Sequence, residues 1–180
     1  MIIWLCGLSG AGKTAIGREV YSRWKRLAPD TALIDGDEFR EILDLHSNAQ
    51  DYTPQSRRSV TKQIAAIAGW LDRQDINVVV CNISIGPDQL EENRSRFERY
   101  FEVFIDVPVE VLIERDNKGL YLQALEGEMS NVVGIDIDYP GPNRPDFVID
   151  NRGYDVAPAD WAERILDRAG IDLATDGEAG

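Results

Sequence analysis

At 180 residues, with 43% hydrophobic and 28% charged residues, the chain fits one soluble globular domain over 1–180, large enough to bury a core. Its formal net charge of −13 argues against a nucleic-acid partner or an acidic membrane surface, so any polyanion site must gather its few cations locally. No apolar run approaches the length of a membrane span, and Met1-Ile2-Ile3-Trp4 lacks the basic start of a signal peptide, which predicts a cytoplasmic protein.

The first element is a short apolar run, Ile2-Ile3-Trp4-Leu5-Cys6, predicted as a strand. Gly7-Leu8-Ser9-Gly10-Ala11-Gly12-Lys13-Thr14 follows and fits G-x-x-x-x-G-K-[ST], the phosphate-binding loop. Its glycines let backbone N–H groups turn in around phosphate oxygens, where a side chain would collide. The next helix aims its N-terminus at the same anion. Lys13 is placed to reach β- and γ-phosphates, and the Thr14 hydroxyl to ligate Mg²⁺. Gly7, Ser9, Gly10, Ala11, Gly12, Lys13 and Thr14 are thus the candidate nucleotide-phosphate ligands. A chance glycine-rich turn is the bland alternative. The strand before the loop and the helical spacing of Ile16, Val20, Trp24 and Leu27 after it supply the context that the motif requires.

That spacing carries the helix to about Ala28, before Pro29. Thr31-Ala32-Leu33-Ile34 reads as a strand ending in Asp35-Gly36-Asp37, with a helical turn or two over 38–45 and a polar loop over 46–52. The lone His46 lies in that loop with no partner pattern and is given no role. Thr53-Pro54 is a helix start, an N-cap followed by proline at the first position, and Val60, Ile64, Ile67 and Leu71 mark the expected buried stripe. Residues 77–81 form a continuous apolar run of β-branched type, as a central parallel strand should. A helix is expected over 87–99, with Leu90, Arg94 and Phe97 on one side, then a strand over 101–105 closed by Asp106-Val107-Pro108. A helix over 109–115 leads into 116–145, a stretch rich in Gly, Asp and Pro that reads as a lid. Phe147-Val148-Ile149 is the last strand. Trp161, Ile165 and Ala169 mark a final helix behind Pro158, and the tail over 171–180 has little to bury. Cys6 and Cys81, each inside an apolar run, read as reduced buried thiols and neither as a disulfide nor as a metal pair.

Strands alternating with helices behind a phosphate loop predict an α/β fold, a parallel sheet covered by helices on both faces. Ligands of such sheets bind at the carboxyl ends of the strands, where Lys13, Asp35, Asp37 and Ser84 all fall. Asp35 and Asp37 read in two ways. They form an acidic turn that caps the next helix, or a pair in which one carboxylate serves the Mg²⁺ side and the other takes a proton from an attacking hydroxyl. No acid ends the strand at Cys81, where a Walker-B aspartate is expected, so Asp35 is the better metal-side candidate. Arg57 shares the inward face of its helix with Val60 and Ile64, and Arg40 follows Asp37 by three. Either a partner for the acidic turn or a clamp on an anionic substrate suits a guanidinium there.

These residues carry a resemblance. The phosphate loop, Asp35-Gly36-Asp37 with Arg40, Arg115-Asp116-Asn117-Lys118-Gly119-Leu120-Tyr121 and Gly127-Glu128-Met129-Ser130-Asn131-Val132-Val133-Gly134-Ile135-Asp136 together resemble adenylyl-sulfate (APS) kinase over about residues 2–150. The resemblance implies a P-loop NTPase three-layer sandwich with a five-stranded parallel sheet. It also implies transfer of the γ-phosphoryl of ATP, with Mg²⁺, to the 3′-hydroxyl of adenosine 5′-phosphosulfate, a step of sulfate assimilation. By the same resemblance Asp37 is the base and Asp35 the metal-side acid. Arg40 and Arg57 hold the phosphosulfate, and Lys118, Gly119 and Leu120 meet the nucleoside. Asn82, Ile83 and Ser84 line the substrate, and a homodimer is the assembly left open. In-line transfer needs no covalent intermediate, so Ser84 is read as a ligand-edge residue.

The departures from the family pattern concern the substrate. Asn82-Ile83-Ser84-Ile85 stands for Phe-Ile-Ser-Pro, and Asn131-Val132-Val133-Gly134-Ile135-Asp136 for Asn-Phe-Thr-Gly-Ile-Asp. The resemblance implies that those two phenylalanines sandwich adenine. A base–aromatic stack is worth about 1–3 kcal/mol, so losing two weakens adenine binding by orders of magnitude. Val60, Lys62 and Glu38 replace an asparagine, an arginine and an asparagine. Asn82 and Val132 therefore point to an acceptor read by edge contacts, with a cytidine nucleotide such as cytidine diphosphoramidate as the alternative to APS. A nucleotide-binding module without transfer is disfavoured by the intact Lys13, Thr14, Asp35 and Asp37.

Overall fold

Strand β1 (Ile2–Cys6) is buried along its whole length and sorts its side chains by parity. The computed structural model describes residues 1–45, 47, 52–116, 119–153 and 155–172. Ile3 and Leu5 pack with Ile16, Val20 and Trp24 of α1 (Lys13–Leu27) and with Trp161, Ala162, Ile165 and Leu166 of α7 (Pro158–Arg168). Ile2, Trp4 and Cys6 point the other way, onto Val60, Ile64, Ala65 and Ala68 of α3 (Pro54–Asp72) and Leu90 of α4 (Pro87–Arg96). The period of two in a strand thus makes one five-residue run the floor of two cores.

The other strands are β2 (Thr31–Asp35), β3 (Asn77–Cys81), β4 (Tyr100–Asp106) and β5 (Phe147–Asp150). All pair parallel, in the order β2-β3-β1-β4-β5. This is the expected five-stranded parallel sheet between two helical layers. Three short helices complete the elements of the described residues: α2 (Gly36–Ile42), α5 (Val109–Arg115) and α6 (Leu120–Leu125). Among the described residues no helix is long and apolar enough to cross a membrane. Cys6 and Cys81 are free and buried, as expected.

Local chemistry sets the boundaries. α1 stops at Leu27 because Ala28, ahead of Pro29, is forced to an extended conformation at φ −133° and ψ 91°. α3 starts at Pro54, with the Thr53 side chain accepting from the Ser56 N–H at 3.3 Å. Two expectations need correction. Ile67 is exposed at 38%, because the face of α3 toward the sheet is made of Val60, Thr61, Ile64, Ala65, Ala68 and Gly69. Ala65, Ala68 and Gly69 leave room on that face for close packing, and Ile67 falls outside the contact. α4 ends at Arg96, short of residue 99, since Phe97 turns extended to bury its ring.

The segment after α5 is more apolar in use than its composition suggests. Tyr121, Val132 and Val133 are buried in the α1/α7-side core, and the Tyr139 hydroxyl donates to the Ile83 carbonyl at 3.0 Å. Asp136 accepts the N–H groups of Asn131 and Val132, which fixes Asn131 at φ 65°.

Helix α1 lies against β3 at Gly17, where a Cβ would overlap the Cys81 sulfur. Gly17→Ala is therefore expected to lower stability by about 1–3 kcal/mol despite the better helix propensity of alanine. Cys81→Ala in the same chain should recover most of that loss, read as denaturation midpoints in a double-mutant cycle.

Candidate active site

The carboxyl ends of β1 and β2 bring the site together. Beyond Cys6 the chain enters the phosphate loop, and Gly12 N-caps α1 in the left-handed region at φ 107°. Lys13 folds back over the loop, its Nζ donating to the Leu8 carbonyl at 2.8 Å. Burial pulls the Lys13 pKa below its ordinary value, while the negative charges of Asp37 and Asp35 oppose that shift. Two distant side chains grip the loop by its carbonyls. The Tyr121 hydroxyl donates to Ser9 and Asn151 Nδ2 to Ala11, each at 2.8 Å.

Asp35 is the junction of the site. Its Oδ2 accepts the Thr14 hydroxyl at 2.7 Å and its Oδ1 accepts the Asp37 N–H at 2.9 Å. The capping reading of the acidic turn holds for Asp35, whose other oxygen touches the first turn of α1. It is 5% exposed, whereas Asp37 is open to solvent. A hydroxyl and a carboxylate this close form a hard-oxygen pair suited to Mg²⁺.

Two arginines, Arg40 and Arg57, are gathered on Tyr52. The Tyr52 ring lies 5.0 Å from the Arg40 guanidinium and 5.3 Å from that of Arg57. Arg57 Nε donates to the Tyr52 carbonyl and Nη2 to the Asn131 carbonyl, both at 2.8 Å. Burial and then the neighbouring Arg40 charge pull the Arg57 pKa down to about 10. An anion bound between the two guanidiniums would relieve this crowding.

The remaining candidates divide. Ser84 is not at an open edge. It is 3% exposed, and its Oγ accepts from Trp4 Nε1 at 3.0 Å and from Asn82 Nδ2 at 3.2 Å. A hydroxyl so committed in the interior is part of the packing. Asn82 also donates to Thr61 Oγ1 at 2.9 Å, which ties its NH₂ group to the fold. Ile83 packs on the core, as does Leu120 at the start of α6, and Gly119 N-caps that helix at φ 65°. Val132, at 2% exposure, presents almost no surface. Lys118 and His46 lie outside the described residues. Sequence reasoning missed Tyr52, taken as part of a polar loop, and Asn151, which nothing local marks except its position just past a strand at the ligand edge.

The family model for adenylylsulphate kinase matches residues 1–150. The chain belongs to this family. It is 40% identical over 150 residues to a cytidine diphosphoramidate kinase of Campylobacter jejuni subsp. jejuni, covering 83% of this chain and 85% of that one. An adenylyl-sulfate kinase of Deinococcus deserti is 34% identical over 170 residues, covering 94% and 91%. Among solved structures, the Mycobacterium tuberculosis APS kinase in complex with AMPPNP and APS superposes with a TM-score of 0.79 at 27% identity, covering 94% and 96%. Membership makes the chain a nucleotide-binding phosphotransferase.

Tyr52→Ala should release both arginines together. The expected result is an acceptor KM raised about 5- to 10-fold with the KM for ATP unchanged, measured by steady-state kinetics.

Proposed function

We propose that the enzyme transfers the γ-phosphoryl group of ATP to the 3′-hydroxyl of a 5′-substituted nucleotide. Lys13 neutralises charge on the β- and γ-phosphates. Thr14 and Asp35 would hold Mg²⁺, which supplies further neutralisation of the phosphate charge. Asp37, exposed beside this pair, accepts the proton as the acceptor oxygen bonds to phosphorus and the bond to the ADP oxygen breaks. Arg40 and Arg57 clamp the anionic 5′ substituent, and Lys118, Gly119 and Leu120 border the nucleoside. Residues 116–145 act as a lid that excludes water during transfer.

The acceptor we favour is a cytidine diphosphate derivative of the diphosphoramidate type. The observation that carries this choice is the 40% identity to the Campylobacter jejuni kinase. The absence of aromatic rings at Asn82 and Val132, where the resemblance expects them, argues against an adenine clamp. Adenosine 5′-phosphosulfate is the second reading, favoured by the 34% identity to the Deinococcus deserti enzyme across 94% of the chain.

Steady-state kinetics on the two acceptors distinguish these readings. A kcat/KM at least about tenfold higher for cytidine diphosphoramidate is expected, and the reverse preference would reinstate APS. Asp37→Asn should lower kcat by about 10²–10⁴-fold with little effect on the KM for ATP. A collapse of ATP affinity with surviving single-turnover chemistry would move the base elsewhere.

A further inference from the structure

Asn151 follows β5 directly and is separated from the phosphate loop by 140 positions of sequence, yet its side chain touches the loop. We propose that Asn151 is a positioning residue that aims the Gly12 N–H at the nucleotide phosphates. The inference rests on the ATP-dependent reading above.

The amide is held at both ends. Nδ2 donates to the Ala11 carbonyl at 2.8 Å, and Oδ1 accepts the Trp161 indole N–H at 3.3 Å. Swapping the amide ends would set carbonyl against carbonyl and NH₂ against N–H, so the donor must face Ala11. The backbone of Asn151 is fixed as well. Its N–H donates to the Asp106 carbonyl at 3.2 Å, and its carbonyl accepts Arg115 Nη2 at 2.9 Å. Arg115 is the last residue of α5, and Trp161 belongs to α7. Contacts from β4 and α5 thus hold the Asn151 backbone just past β5, while Trp161 of α7 orients the side chain that it presents to the loop.

The consequence follows from peptide planarity. In a trans peptide the C=O and the following N–H point in opposite directions. Holding the Ala11 oxygen toward Asn151 turns the Gly12 N–H to the other side of the loop, the side on which a phosphate-binding loop takes its anion. The same closeness restricts residue 12. A Cβ there would stand 2.8 Å from Asn151 Nδ2, and the φ of 107° already favours glycine. Gly12 and Asn151 thus act as a pair, one free to adopt the turn and the other fixing which way its N–H faces.

A purely structural tie between β5 and the loop would also use this hydrogen bond, so the test needs a readout that stability alone does not move. Titration calorimetry of the full chain with MgATP and with inorganic tripolyphosphate, beside the thermal midpoint and acceptor KM, supplies it. Asn151→Asp, which sets an anionic oxygen against the Ala11 carbonyl, should weaken both phosphate ligands about tenfold and leave the acceptor KM within about twofold. Asn151→Leu should do the same without the added charge, and it decides the matter if the aspartate variant does not fold. Trp161→Phe, which frees the amide to rotate, should give a smaller loss of about two- to threefold, absent when Asn151 is already leucine. A lowered melting temperature with unchanged affinity for ATP and tripolyphosphate would overturn the proposal and leave Asn151 a structural tie. If the unmodified chain itself bound neither ligand, the ATP-dependent reading would fall, and the positioning role with it.

Discussion

The hydrogen bond from the Thr14 hydroxyl to Asp35 joins the first helix to the edge strand β2, with β3 lying between β1 and β2 in the sheet. A hydroxyl donating to a carboxylate at 2.7 Å is a charge-assisted contact, stronger than its neutral equivalent. The second oxygen of the same carboxylate caps α2 and so sets where Asp37 and Arg40 leave the backbone. One side chain therefore registers the phosphate loop against the acidic turn. A shift of β2 by one residue would turn Asp35 to the other face of the sheet and separate these parts. The close contact of Gly17 with Cys81 serves the same registration by letting α1 settle on β3.

Charge is handled by concentration. In a chain of net charge −13, three cations are drawn to one edge, and two of them are held against their own solvation. A cation whose folded pKa is depressed opposes folding while it remains charged. For Arg57 that penalty is present in full below about pH 10 and eases only as the pH rises above it. Stability is thus spent on a site poised for anions, and a bound polyanion repays it. Such a site fits nucleotide phosphates better than a neutral ligand.

Much of this was legible in the sequence, for identifiable reasons. The phosphate loop is a local motif with a fixed backbone geometry, and Asp35-Gly36-Asp37 sits at a strand end that hydrophobic patterning reveals. Five apolar runs at βα spacing were enough for the parallel sheet. The failures lie where long-range packing overrides local pattern. Ile67 matches the helical period of α3, but the buried face runs through Val60, Thr61, Ile64, Ala65, Ala68 and Gly69 and leaves it outside. Ser84 falls at a ligand-edge position in the chain, yet the Trp4 indole draws its hydroxyl inward. Tyr52 lies among polar residues, and its part in gathering Arg40 and Arg57 depends on helices that precede and follow it. Asn151 has no motif at all, since its partner is a carbonyl at the far end of the chain.

The proposed function assigns the loop to the phosphate donor and the acidic turn and arginine pair to the hydroxyl acceptor, so the decisive observation is where the phosphorus arrives. ³¹P NMR of the product formed from ATP and cytidine diphosphoramidate, with APS in a parallel reaction, reads that position directly. The account requires one new phosphomonoester on the 3′-oxygen of the ribose and one equivalent of ADP. Phosphorus appearing on the 5′ substituent, or ATP hydrolysed with both acceptors left unmodified, would contradict it.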